Sequence, residues 1–230
     1  PETQEQIREA FEEQCSVELQ QFLKPEKFQA LLKAINEHAK WKMIGPANRR
    51  HYEQMMMEDE GDDAVVDPII TQCHQLFKSG AIQQFLSHVI NVDVTSVHTR
   101  GRKFSSGCYT LVQSLSTEET RLDAIYTLTG KDWDFDFGGQ VVYMDEEEEL
   151  LSVLPQANAL SLVLRDKGTM QFVKYVNHNA PEPRIDLTYT YTVQFSSDDE
   201  EDDDEDYDDE EEGEGEGEGD EEEEAEENDE

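Results

Sequence analysis

Asp132 to Val176 reads DWDFDFGGQVVYMDEEEELLSVLPQANALSLVLRDKGTMQFVKYV, and this stretch decides the fold. It holds three short apolar runs, Gln140–Tyr143, Ala159–Leu164 and Gln171–Val176, separated by Gly, Pro, Asn and acidic punctuation. Runs of that length between turn formers are successive β-strands. Working outward, strand signals continue at Phe104–Val112, Leu122–Leu128, Leu150–Leu154 and Ile185–Phe195. In Thr188–Val193 threonines alternate with Tyr and Val, so one strand face is hydroxyl-bearing and the other apolar. Asp93–Lys103 reads as turn-rich. Gly138-Gly139 reads as a turn or bulge, or as a close approach to a neighbouring strand.

Upstream the period changes. Gln6–Phe11 is amphipathic, and Phe28, Leu31, Leu32 and Ile35 recur at helical spacing behind Pro25, predicting a helix over Pro25–His38. Trp41–Pro46 reads as a turn and Asn48–Met57 as resumed helix. Asp67-Pro68 opens a helical pair split at Ser79-Gly80. The expected architecture is α+β: a jelly roll or related double-sheet fold, with covering helices over 1–92, the β core over 93–195, and a tail over 196–230.

The charge is local. Of 56 acids, 26 fall between Asp198 and Glu230, where there is no base; the remaining 30 acids and 18 bases give the body −12 of the total −38. Such a tail is expected to be disordered, because like charges repel and little apolar area offsets the ordering entropy. It suits loose capture of basic proteins or simple solubilisation. A net acidic body speaks against direct duplex nucleic-acid binding, which needs Lys and Arg to displace counterions. Cys15, Cys73 and Cys108 are an odd number and form no CxxC pair, which predicts a reducing intracellular compartment and no disulfide framework; the expected localisation is cytoplasm and nucleus. No apolar run has the length of a membrane helix. The chain begins at Pro1, which suggests that a preceding segment is missing.

Chemical motifs are sparse. Among the six histidines only His51-Tyr-Glu53 has the His-x-carboxylate spacing of a non-haem iron strand, and it falls in a stretch read as helix, where positions two apart diverge. His178 reads as turn surface. Cys108, in a strand, reads as inert core. There is no nucleophile elbow and no phosphate-binding glycine loop.

Several segments in order, Trp41–Arg49, Lys103–Leu111, Leu122-Asp123, Trp133 with Gly138–Tyr143, Leu154–Asn158 and Phe172–Asn177, resemble the C-terminal domain of the eukaryotic 2-oxoglutarate- and Fe(II)-dependent prolyl hydroxylases that act on a ribosomal decoding-centre protein. The resemblance implies two tandem double-stranded β-helix domains of which only the N-terminal one is catalytic, with Fe(II), 2-oxoglutarate and ascorbate expected there and none in this chain. It aligns the metal positions with Gln113, Leu115 and Val173, all neutral or apolar. It aligns the co-substrate arginine with Arg184, left open as a relic, a surface ion pair or an anion contact. Trp41, Arg49 and Arg184 are candidate partner contacts, and Trp41 and Trp133 are more naturally core. The expected partners are the N-terminal catalytic domain, a ribosomal protein substrate and a second copy of the chain. Three functions remain open: a non-catalytic domain for recruitment, support or assembly; an active oxygenase with an unusual metal set; and an acidic-tail chaperone.

Overall fold

The computed structural model describes residues 2–56, 67–112, 119–129 and 133–194, all within the unit Pro1–Ser196. The acidic tail, the 58–63 loop, Gln113 and Leu115 lie outside the described residues.

The elements in order are α1 (Glu2–Gln14), β1 (Ser16–Leu19), α2 (Pro25–His38), β2 (Trp41–Ile44), β3 (Arg50–Met55), α3 (Pro68–Lys78), α4 (Gly80–Ile90), β4 (Asp93–Phe104), β5 (Tyr109–Thr110), β6 (Arg121–Thr127), β7 (Val141–Met144), β8 (Glu149–Val153), β9 (Ala159–Arg165), β10 (Met170–Val173) and β11 (Arg184–Gln194). A large antiparallel sheet runs β1-β9-β6-β11-β4-β3-β2, with β5 pairing β3, and a small sheet runs β10-β7-β8. This is a double-stranded β-helix, as expected, with helices against the outer face of the large sheet.

Strand alternation sorts the side chains into two layers. On β11, Leu187, Tyr189 and Tyr191 face the helices and join Leu31, Ile35, Phe77, Leu86 and Val89 in one core. Phe77 stacks on Tyr189 at 4.0 Å between ring centroids, and Tyr191 donates its hydroxyl to the Phe77 carbonyl at 2.6 Å. Between the two sheets lies a second core of Tyr52, Phe104, Ile125, Val141, Tyr143, Val163, Val173 and Val176. Pro25 occupies the first turn of α2, while Asp67 and Ser79 cap α3 and α4 by accepting from the backbone N–H of Ile69 and Ile82.

Asn158 ties the layers together. In a left-handed conformation (φ 56°), its Oδ1 accepts from the Leu23 N–H and the Tyr126 hydroxyl while its amide donates to the Leu23 carbonyl. Gly138 is required by space. At φ 77° a Cβ there would lie 1.8 Å from the Tyr175 carbonyl oxygen, so the close-approach reading of Gly138-Gly139 is the right one.

Four expectations change. Asn48–Met57 is not helix: Arg50–Met55 is strand β3, and its buried residues Tyr52 and Met55 stand three apart because they face opposite cores, which mimics a helical period. Trp41–Ile44 is its hairpin partner β2 and no mere turn, so 1–92 is not purely helical. Asp93–Phe104, read as turn-rich, is the longest strand at 12 residues. Its residues His98, Arg100 and Arg102 lack apolar character because they line a polar cleft. The predicted strand Phe104–Val112 shrinks to the bridge Tyr109–Thr110.

Candidate functional site: an arginine-lined cleft between the sheets

One end of the space between the sheets is apolar and the other is not. The inner-facing residues of β11 are Arg184, Asp186, Thr188 and Thr190, and their register neighbours place Arg102 and Arg100 on β4 and Asp123 and Arg121 on β6 beside them. Beyond β6, Arg165 on β9 stands directly opposite Arg121.

At the deep end, Asp186 is fully buried and held by two arginines. Arg102 grips it as a fork, Nε to Oδ1 at 2.8 Å and Nη2 to Oδ2 at 3.1 Å, and Arg184 Nη1 lies 2.7 Å from Oδ2. The Thr188 hydroxyl adds a donor at 2.9 Å. Both guanidinium groups also lie over the Phe104 ring, at 5.6 and 5.2 Å. Burial works against the charged carboxylate, but Arg102 and Arg184 outweigh it and hold Asp186 below its ordinary pKa. Burial lowers Arg184 to about 10, leaving it protonated at neutral pH.

Toward solvent the cleft opens to about 310 Å³. Its lining includes Arg100, Arg102, Arg121, Arg165, Thr188 and Thr190, with Gln171 and Phe172 reaching in from the small sheet and His98 at the rim. Asp123 accepts from Thr190 at 2.8 Å and Tyr143 at 3.2 Å, and its Oδ2 lies 3.2 Å from Arg165 Nε. Arg100 Nε donates to His98 Nε2 at 3.1 Å, which requires a lone pair there and so a neutral imidazole. Burial, then the charges of Arg100 and Arg121, lower the His98 pKa in the same sense.

Arg184 is the clearest correction. It is neither a surface ion pair nor a partner contact: it is 1% exposed, and the carboxylate it holds belongs to its own strand. Val173 is core, 1% exposed among the inter-sheet valines, with its N–H bonded to the Thr110 hydroxyl at 2.8 Å. Trp133 is buried and donates to the Gly138 carbonyl at 2.8 Å. Trp41 packs partly buried on the helix-side core under the Lys103 ammonium, 5.2 Å from its ring. Arg49 is exposed in the β2–β3 turn.

His51 and Glu53 do share a strand face, contrary to the helical reading. Glu53, however, is paired with Lys103 at 2.8 Å, and His51 Nδ1 approaches the Gly107 carbonyl at 3.3 Å and Cys108 Sγ at 3.9 Å. Burial raises the Cys108 thiol, which suits an inert core residue. Among the described residues no three His, Cys, Asp or Glu side chains gather to hold a metal ion.

Iron(II) bound by a facial triad takes two imidazoles and a carboxylate. The cleft's carboxylates are already held by arginines, His98 spends its free lone pair on Arg100, and Val173 offers no donor. The described residues therefore do not fit iron, and Arg184, engaged by Asp186, already holds a carboxylate of this chain. The informative lining residues, Arg100, Arg102, Arg121 and Arg165, escaped the sequence reading, since nothing in their spacing shows that four strands converge. The only available signal was their chemistry, arginines at alternate positions in apolar or acidic surroundings.

A family model described as "Oxoglutarate and iron-dependent oxygenase degradation C-term" matches residues 1–200. The chain is 30% identical over 220 residues to prolyl 3-hydroxylase OGFOD1 of Xenopus laevis, covering 79% of this chain and 42% of that protein. It is also 30% identical over 215 residues to prolyl 3-hydroxylase sudestada1 of Drosophila melanogaster, covering 78% and 38%. The chain thus spans less than half the length of these relatives. Among solved structures it resembles a Pseudomonas putida prolyl-4-hydroxylase (TM-score 0.58, 14% identity, 83% of this chain and 99% of that one). A Trichoplax adhaerens prolyl hydroxylase in complex with a hypoxia inducible factor oxygen degradation domain peptide fragment is similar at TM-score 0.60 and 14% identity, covering 83% and 89%.

Proposed function

The chain belongs to the oxoglutarate and iron-dependent oxygenase degradation C-terminal family, and from that premise we propose that it is the non-catalytic domain of a 2-oxoglutarate- and iron-dependent prolyl hydroxylase acting on a ribosomal protein. It recruits the substrate and supports the catalytic domain, which supplies iron, 2-oxoglutarate and ascorbate chemistry from outside this chain, in cytoplasm and nucleus. The observation that carries this reading is the Arg102–Asp186–Arg184 cluster, which fills with an internal ion pair the position that the resemblance aligns with co-substrate binding.

Support for a docking role comes from the rim of the small sheet. Leu111, Val112, Phe135 and Tyr175 are large apolar side chains left exposed, and the rings of Tyr175 and Tyr109 lie 6.2 Å apart. Exposed aromatics on a rigid scaffold are common anchors for protein partners.

The test titrates this chain with Fe(II) and 2-oxoglutarate and measures its binding to the catalytic domain and to the ribosomal substrate. The reading expects no stoichiometric iron or 2-oxoglutarate and saturable binding of the protein partners; one equivalent of Fe(II) would overturn it in favour of an active oxygenase. The run of 26 acids in residues 198–230 favours one second reading, capture of basic proteins. Binding lost on deleting those residues supports that reading, and binding that survives supports the first.

A further inference from the structure

We propose that the mouth of the inter-sheet cleft is a binding site for a phosphate monoester dianion, gripped by Arg100, Arg121 and Arg165 from three different strands. This rests on the reading that the cleft holds no metal.

The argument begins with charge. The chain carries eight arginines against 56 acids, yet four of the eight line this one concavity and a fifth, Arg184, lies just beneath it. The deep pair, Arg102 and Arg184, share one carboxylate, Asp186. Among the described residues the only buried carboxylate nearer the mouth is Asp123, whose ion-pair partner is Arg165. Arg100 has no carboxylate within 4.0 Å among the described residues, and Arg121 reaches only the exposed Glu119, at 3.5 Å. The cleft therefore holds more guanidinium than carboxylate.

The arginines are also placed against one another. Arg121 and Arg165 are directly opposite across antiparallel strands, a like-charge pairing that costs stability. Arg100 is lowered by burial, then by the neighbouring charge of Arg102, with Arg165 adding to it. An acidic chain that concentrates repelling cations in one hollow gains from an anion placed among them. An unsatisfied donor points the same way: Arg121 Nε is buried with no acceptor, while Arg165 Nε has only the Asp123 carboxylate, 3.2 Å away and out of line.

The shape of the donor set selects the anion. A carboxylate is planar and one guanidinium fork saturates it, as Arg102 does for Asp186. Three guanidinium groups side by side on β4, β6 and β9 offer more donors than the two oxygens of a carboxylate accept, which suits a tetrahedral group with three terminal oxygens and about two charges. The cleft, about 310 Å³, is at the small end of ligand pockets, enough for one phosphorylated group with the group that bears it. Phe172, on the small sheet, gives that bearer an apolar wall.

The experiment is calorimetric titration of the full chain with phosphoserine, inorganic phosphate, a phosphoserine peptide and its unphosphorylated form, a nucleoside monophosphate, and succinate. Saturable binding of the phosphorylated probes is expected, weakened at least about tenfold by Arg100→Gln and by Arg121→Gln, since each removes a charged hydrogen-bond donor. Neither residue partners a buried acid, so both variants are expected to melt, without ligand, at or above the wild-type temperature, and to lose the rise that phosphate gives. Preference for the phosphopeptide assigns the site to a modified protein, and preference for the mononucleotide to a free metabolite; either supports the phosphate class. Absence of saturable binding, equal binding of succinate, or variants that bind like wild type overturns the proposal. Fe(II) titration of the same preparation separates the two failures: no phosphate and no iron leaves the non-catalytic reading standing, whereas stoichiometric iron removes both.

Discussion

Arg184 and Asp186, two residues apart on β11, face the same side of the strand and meet at 2.7 Å with almost no solvent exposure. In a fold whose relatives include prolyl hydroxylases, this chain supplies to that arginine a carboxylate of its own. Arg102 makes the cluster a triad of two cations and one anion, so its stability depends on the single acid.

Replacing that acid is therefore expected to be severe. Asp186→Asn leaves Arg102 and Arg184 buried without a counter-charge, a loss of about 3–5 kcal/mol. Chemical denaturation of the variant, read by far-UV circular dichroism, measures it. A loss below about 1 kcal/mol would mean that water reaches the cluster and screens it.

Two glycines separate steric from conformational cost. Gly138→Ala drives a Cβ into the Tyr175 carbonyl and is expected to cost about 2–4 kcal/mol. Gly107 has a similar positive φ of 89° but nothing within 4 Å of the added atom, so Gly107→Ala is expected to cost only about 1–2 kcal/mol. Equal destabilisation in urea melts would refute the close-approach account of Gly138.

His74 sets an acid limit. Its Nδ1 pairs with the Tyr189 hydroxyl at 3.0 Å, its Nε2 is buried without a partner, and burial, then Lys78, lowers its pKa to about 4. The folded state thus resists a proton that the unfolded chain accepts near pH 6.5. This contribution is whole above pH 6.5, declines as pH falls through the window, and stops changing below about pH 4, amounting to at most about 3 kcal/mol. His74→Gln is expected to flatten the stability profile over that interval. An unchanged profile would place the acid sensitivity elsewhere.

The cysteines are expected to differ sharply in reactivity. Cys15 is exposed, whereas Cys73 and Cys108 are buried, and burial pushes the Cys73 thiol up to about 11. Ellman's reagent is expected to titrate one thiol in the native chain and three after denaturation. Rapid labelling of Cys108 in the native state would contradict its assignment as inert core.

The amino-acid sequence by itself determined the strands that read as short apolar runs between turn formers, β6, β7 and β9, the alternating β11, and the helices with an unbroken apolar stripe, α2, α3 and α4. Their periodicity follows directly from burial. It also carried the resemblance to the family, in segments that include Gly138 and Asn158, whose roles are local: Gly138 lies against a carbonyl, and Asn158 turns left-handed. Only the tertiary structure decided the rest. Strands β3 and β4 were illegible because their buried positions serve two different layers, or face a polar cleft, so no single-face alternation survives in them. Arg184 could not be placed from its neighbours in sequence, since whether an arginine is buried depends on what stands across the sheet, here Arg102 and Phe104. Residues 100, 121 and 165 lie on three strands that meet only when β4, β11, β6 and β9 pair, and it is this long-range pairing that turns scattered surface-type residues into one cationic hollow.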